Sequence, residues 1–340
     1  MARSEKWALA FIALLAALTL SLVAATAVAY TQATVPLPTE VTLVDRAMDS
    51  TQAIITTLDP SIGLIQLPPL ALGQTPTPRL ATVFSNSGPS FSDYQFALGQ
   101  SAKGRDIVGY AFPITNSPRG LVLVNGIHGD EVTAWPVLRV LMADLQSQTL
   151  TQPSNLSMYV IESLNPDGAA IPQRLNANRI DLNRNWDTYD WRTGIELSAS
   201  DYLPRGGGPQ PFSEPETQAL RNLLLALKDT HSESLTVIYF HAAVPPNGYV
   251  GPGSHRVGGQ DLADSVSREL GQLFAAASGY DYANQWVGDY AVTGDASTWA
   301  VAQGMGSLTI ELPTRYELSA EQATQLRDGL LTLIGYLASQ

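Results

Sequence analysis

The chain has 340 residues, 45% of them hydrophobic and 15% charged, with a formal net charge of -12. This is a globular composition, suited to one large domain or a domain with an appendage. The acidic balance and the lack of a Lys/Arg cluster exclude nucleic acid as the main partner, and the absence of cysteine excludes disulfides and thiol chemistry.

At the N-terminus Arg3 and Lys6 precede an apolar run over residues 7–24, and Ala27-Val28-Ala29 offers a small-x-small cleavage site. Residues 1–29 therefore read as a secretory signal peptide cut before Tyr30. The run is long enough that an uncleaved membrane anchor, tethering the chain through residues 7–24, is the alternative. Residues 30–92 are rich in Pro, Thr, Ser and Gln, as in "LPPLALGQTPTP". Such a stretch buries no core of its own and reads as a linker or pro-like segment, with one short helix at 46–58.

From about Asp93 the pattern changes. Short apolar runs predict buried strands at 107–112, 121–125, 158–161, 235–240 and 307–312. Helical stretches lie between and after them at 131–147, 214–228 (opened by Ser213 as its cap), 261–278 and 320–339. Strands alternating with helices predict an α/β fold, a three-layer α/β/α sandwich around a mixed, largely parallel sheet, over residues 93–340. Ligands in such sheets bind at the carboxyl ends of the strands. His128, His241 and Glu311 all fall there.

"NGIHGDE" places His128 three positions before Glu131, and Gly126 and Gly129 allow a tight turn between them. If the chain turns into a helix here, both side chains can face one ion. His241 in "VIYFHAAV" supplies a third ligand from another strand end, and a hydrolytic zinc site needs three such ligands with one position open. The competing reading makes His128 a turn residue and Glu131 a first-turn helix acid favoured by the macrodipole. Further along, "NPDG" (165–168) is a turn sequence, and Arg174, Asn183 and Arg184 crowd the segment after it. Glu311 in "TIELP" stands among apolar residues, where a carboxylate is costly unless paired or functional.

Together "GQSAKGRDI", "NGIHGDE", "NPDG", "RLNANRIDLNRNWD", "PFSEPETQAL", "FHA", "YAVTGDASTW" and "TIELP", in this order over residues 93–340, resemble the zinc metallocarboxypeptidases of the carboxypeptidase A-like family. The similarity is to its short bacterial branch, which includes murein peptide amidase. The resemblance implies one zinc per chain held by His128, Glu131 and His241, with Glu311 as the catalytic carboxylate. It implies that Arg174 polarises the scissile carbonyl, that Asn183 and Arg184 grip a terminal carboxylate, and that Tyr290 closes over the substrate. His231 and His255 match no motif and are expected at the surface. Asp295 is read as an exposed loop acid, the alternative being an acid that meets a basic substrate side chain.

The expected protein is a secreted or membrane-tethered zinc metallopeptidase. It hydrolyses an amide next to a free carboxylate in a muropeptide or another short peptide. The alternatives are a general C-terminal carboxypeptidase, a deacylase of N-acyl amino acids on the same fold, and a non-catalytic binding module, which the intact ligand set disfavours.

Overall fold

Successive apolar side chains of the central strands point to opposite faces of the sheet, and this sets the layers. In the computed structural model, which describes residues 91–257 and 260–340, the strands are β1 (Gln95–Gln100), β2 (Asp106–Phe112), β3 (Arg119–Val124), β4 (Leu156–Ile161), β5 (Ile195–Ser198), β6 (Asp201–Leu203), β7 (Ser234–Ala242), β8 (Tyr249–Pro252), β9 (Ser254–Val257), β10 (Gln260–Ala263), β11 (Asp281–Tyr282) and β12 (Gly306–Leu312). The helices are α1 (Trp135–Gln146), α2 (Pro166–Ala169), α3 (Pro215–Thr230), α4 (Ser265–Ser278), α5 (Ala296–Ala302) and α6 (Ala320–Ser339). Eight strands form one sheet in the order β1-β2-β4-β3-β7-β12-β8-β11. Its centre, β4-β3-β7-β12, is parallel throughout; β2 and β8 join it antiparallel, and beyond them β1 pairs antiparallel with β2 and β11 parallel with β8.

On one face Leu121, Leu123, Ile238, Phe240, Leu308 and Ile310 pack with Leu138 of α1, Phe274 of α4 and Leu330 of α6. On the other, Val122, Val124, Val237 and Tyr239 pack with Leu220 and Leu224 of α3 and Trp299 of α5. This is the predicted three-layer sandwich. Burial on both faces explains why the central strands read as continuous apolar runs.

Several boundaries differ from expectation. The first helix begins at Trp135, not residue 131, because residues 128–134 form turns and Pro136 belongs in a first helical turn, where its missing N–H costs nothing. Ser213 does not cap α3. Glu214 is the N-cap residue, and the Ser213 hydroxyl donates to its carboxylate at 2.8 Å. The fourth helix starts at Ser265 because Asp264 caps it, its carboxylate accepting the Ser267 N–H, and residues 260–263 pair with β9 instead. His231 is not at the surface. It is buried between Ser117 O (2.9 Å from Nδ1) and the Tyr159 hydroxyl (3.2 Å from Nε2). His255 is half-buried on β9.

The leader at 1–29, the helix at 46–58 and all but the last two residues of the 30–92 segment lie outside the described residues. Among the described residues no helix is long and apolar enough to cross a membrane.

Candidate active site

Parallel register places the first two groups. β12 pairs with β7 so that Glu311 stands opposite His241, on the face that β7 shares with Tyr239. The third group arrives from β3, which flanks β7 on its other side. Past Val124 the chain turns through Gly126 at φ +63°, a conformation side chains with a Cβ rarely adopt. Gly129 then packs against the turn at 165–168 so closely that a Cβ would lie 2.2 Å from the Gly168 carbonyl carbon. That contact seats the His128–Glu131 turn. The "NPDG" segment is held in its turn by Asn165, whose side chain accepts the Gly168 N–H and donates to Arg174 O.

The three predicted ligands meet. Glu131 Oε2 lies 2.8 Å from His128 Nδ1 and 3.1 Å from His241 Nδ1, and the two nitrogens are 3.1 Å apart. All three residues are buried. His128 Nε2–H donates to Asp181 Oδ1 at 3.0 Å, since a carboxylate can only accept, and this directs the Nδ1 lone pair into the cluster. A proton on His241 Nδ1 could serve only one of the two remaining acceptors. The cluster therefore calls for a positive charge at its centre. Without a cation, burial and Arg174 oppose a charge on His128, but Glu131 and Asp181 outweigh them and hold His128 above its ordinary pKa. Burial pushes His241 down to about 4, so that ring stays neutral. Two imidazoles and a carboxylate fit one zinc with a position left for water. The ion takes only the neutral form of each imidazole.

Around this cluster lies a cavity of about 510 Å³, lined by His128, His241, Glu311, Arg174, Asn183, Arg184 and Tyr290 among others. Every predicted site residue except Glu131, which sits behind the two histidines, opens onto it. Burial first, and then the charge of Glu131, push Glu311 up to about 8. Arg174 is locked to Asp181 by Nε (2.9 Å) and Nη2 (2.8 Å), with Nη1 3.2 Å from His128 Nδ1. Asn183 Oδ1 accepts the Ala296 N–H, which ties the 182–184 turn to α5. Arg184 is 2% exposed; it donates to Asn183 O, and its Nε has no partner among the described residues. Tyr290 packs edge-on against Trp286 in the loop before α5.

Two side chains of the site carry no motif in the sequence, and a third differs from its expected placement. Asp181 holds both His128 and Arg174; its signal is an acid between Ile180 and Leu182 in an otherwise basic stretch. Arg315 donates to Glu131 Oε1 at 3.2 Å. Asp295 is not an exposed loop acid. It is half-buried, caps α5 by accepting the Thr298 N–H at 2.9 Å, and lines the cavity.

A parallel-centred α/β/α sandwich carrying a His-Glu-His cluster and a glutamate at its strand ends defines a zinc-dependent hydrolase. The chain belongs to the zinc carboxypeptidase family, whose model matches residues 84–328. Murein peptide amidase A of Escherichia coli K12 is 28% identical over 233 residues, 67% of this chain and 83% of that protein. Two solved structures share the fold. The murein-tripeptide amidase of Escherichia coli O157 is 24% identical with a TM-score of 0.54, over 78% of this chain and 99% of that one. The carboxypeptidase A of Helicoverpa armigera is 22% identical with a TM-score of 0.57, over 72% of this chain and 68% of that one.

Purified protein is expected to hold about one zinc per chain, and His128→Ala and His241→Ala are each expected to lose it; elemental analysis of the three proteins decides this. Glu311 also carries a pH signature. An acid whose folded pKa lies above its unfolded value costs stability as pH rises from the ordinary carboxylate value through about 8. Zinc-free Glu311→Gln should therefore melt above the zinc-free wild type at pH 8.5, with the gap closing at pH 5.

Proposed function

We propose that the protein hydrolyses an amide bond next to a free carboxylate in a short cell-wall peptide, outside the cytoplasm. The observation that carries this reading is Arg184. A buried guanidinium facing a cavity with its Nε unpartnered is costly to maintain unless an anion is to be received there. A terminal carboxylate is that anion, gripped by Arg184 with Asn183 beside it.

The remaining roles follow from position. His128, Glu131 and His241 would hold the zinc, which would supply Lewis acidity to the attacking water and the scissile carbonyl. Glu311 accepts the proton of the attacking water and returns it to the leaving amine. Arg174, held by Asp181, aims a guanidinium at the oxygen that gains charge. Tyr290 lines the same cavity, which supports its role in covering the bound residue.

The cavity lining includes the hydroxyls of Ser254, Ser297, Thr298 and Thr309 and the carboxylate of Asp295. Asp295 among them suits a substrate side chain bearing an amine. Similarity to murein peptide amidase A supports a cell-wall peptide as substrate, and the apolar leader at 7–24 supports an extracytoplasmic place of action.

Glu311→Gln should keep its zinc and lose roughly 10²–10⁴-fold in kcat; retention of more than about a tenth of wild-type kcat removes Glu311 from the base role. The carboxylate grip is tested by a double cycle on muropeptides and on short C-terminal peptides, with products read by mass spectrometry. Amidating the terminal carboxylate should slow wild type sharply and Arg184→Ala far less, with a coupling of about 1.5–3 kcal/mol. Arg184→Lys should rescue in part, because a point charge cannot reproduce the fork. Equal sensitivity in wild type and Arg184→Ala would sink the reading.

A further inference from the structure

Glu131 presents its two oxygens to different surroundings. Oε2 faces the imidazoles at 2.8 and 3.1 Å and also accepts the Ala242 N–H at 3.2 Å. Oε1 faces two guanidiniums, Arg315 at 3.2 Å and Arg174 at 3.4 Å. The longer contact belongs to an arginine whose other two nitrogens are committed to Asp181 and which opens onto the substrate cavity. Arg315 is placed differently. It does not line the cavity, and its three nitrogens serve three acceptors of the metal centre's frame. Nη2 donates to Glu131, Nη1 to Asp130 Oδ2 at 3.1 Å, and Nε to Ala242 O at 2.9 Å.

Those acceptors lie beside two ligands on two different elements. Asp130 and Glu131 belong to the turn after β3, and Ala242 follows His241 at the end of β7. Arg315 itself follows β12, just beyond Glu311. One planar fork thus joins the exits of the three strands that deliver the site. Glu131 is only 2% exposed in its side chain, whereas Arg315 is 47% exposed, so the arginine reaches a buried carboxylate from the rim. Without it, Oε1 keeps only the long contact to Arg174, and the carboxylate can rotate away from the imidazoles.

We propose that Arg315 is a positioning residue of the metal centre: by holding Oε1 of Glu131 and the carbonyl after His241, it presents Oε2 to the ion and sets zinc affinity. This rests on the His128–Glu131–His241 zinc site and on no particular substrate.

The test is zinc affinity of the full chain, measured by competition with a chelator of known affinity. Melting of the zinc-free and zinc-loaded proteins is followed alongside. Outer partners of metal ligands typically govern affinity by 10–100-fold, so Arg315→Ala should raise the zinc dissociation constant by about that factor. The rise in Tm that zinc confers should shrink, while the zinc-free Tm changes little. Arg315→Lys should recover part of the affinity, since one ammonium cannot serve three separated acceptors. It also decides the matter should Arg315→Ala fail to fold. In the cobalt-loaded protein, the visible bands should shift in Arg315→Lys if Glu131 is reoriented. Zinc affinity within about twofold of wild type in the folded variants, with zinc-free and zinc-loaded Tm falling equally, would overturn the proposal and leave the zinc site standing. A wild type that binds no zinc would overturn both.

Discussion

Opposition of Glu311 to His241 across β12 and β7 fixes a carboxylate beside a metal ligand before either side chain selects a rotamer. Parallel strands a single hydrogen-bond spacing apart end on the same side of the sheet, so their exits share one small volume. β3 completes the set on the far side of β7. Helices packed on both faces hold the three strands in register through side chains that are almost wholly buried. A register slip of one residue would send Glu311 to the opposite face. The chemistry therefore depends first on the pairing of strands that are mostly buried.

Buried charge is the second constraint, and the site resolves it by sharing. Asp181 receives both His128 and Arg174; burial presses its carboxyl towards the neutral form, but Arg174 and His128 outweigh that and hold it well below the usual range. Glu131 is treated alike, burial being overcome by His128, His241 and Arg174. For Glu311, burial and the charge of Glu131 outweigh His128, Arg174 and Arg315, and it is pushed up to about 8, into the range where a group can both accept and release a proton near neutrality. Arg184 is the converse case, a buried cation with no acid paired to it among the described residues. Two acids ionised, one poised and one arginine open together describe a site arranged around groups that a substrate and an ion bring.

The sequence made much of this legible, for reasons that differ by element. The central strands show as apolar runs because both their faces are covered. β1, β8 and β11, at or next to the edges of the sheet, are hidden in the sequence because they are short or half polar, as in "QFALGQ" and "YVGP". Histidines at strand ends are rare enough in a chain with four of them to mark the ligands. Asp181 and Arg315 left little trace because their roles exist only through contacts with residues 53 and 184 positions away. Asp295 was misread because its burial comes from its place as the cap of α5. His231 was misread because its partners, Ser117 and Tyr159, come from distant strand regions.

The backbone contact between Gly129 and Gly168 bears on how this scaffold can be altered. Two turns that meet with no room for a single methyl group form one cassette, although more than thirty residues, including α1 and β4, separate them in the chain. Loop grafting that replaces the 126–131 turn while retaining the 165–174 turn, or the reverse, would separate surfaces that fit only each other. Recombination breakpoints between related chains are better placed outside both turns, so that the pair is inherited from a single parent.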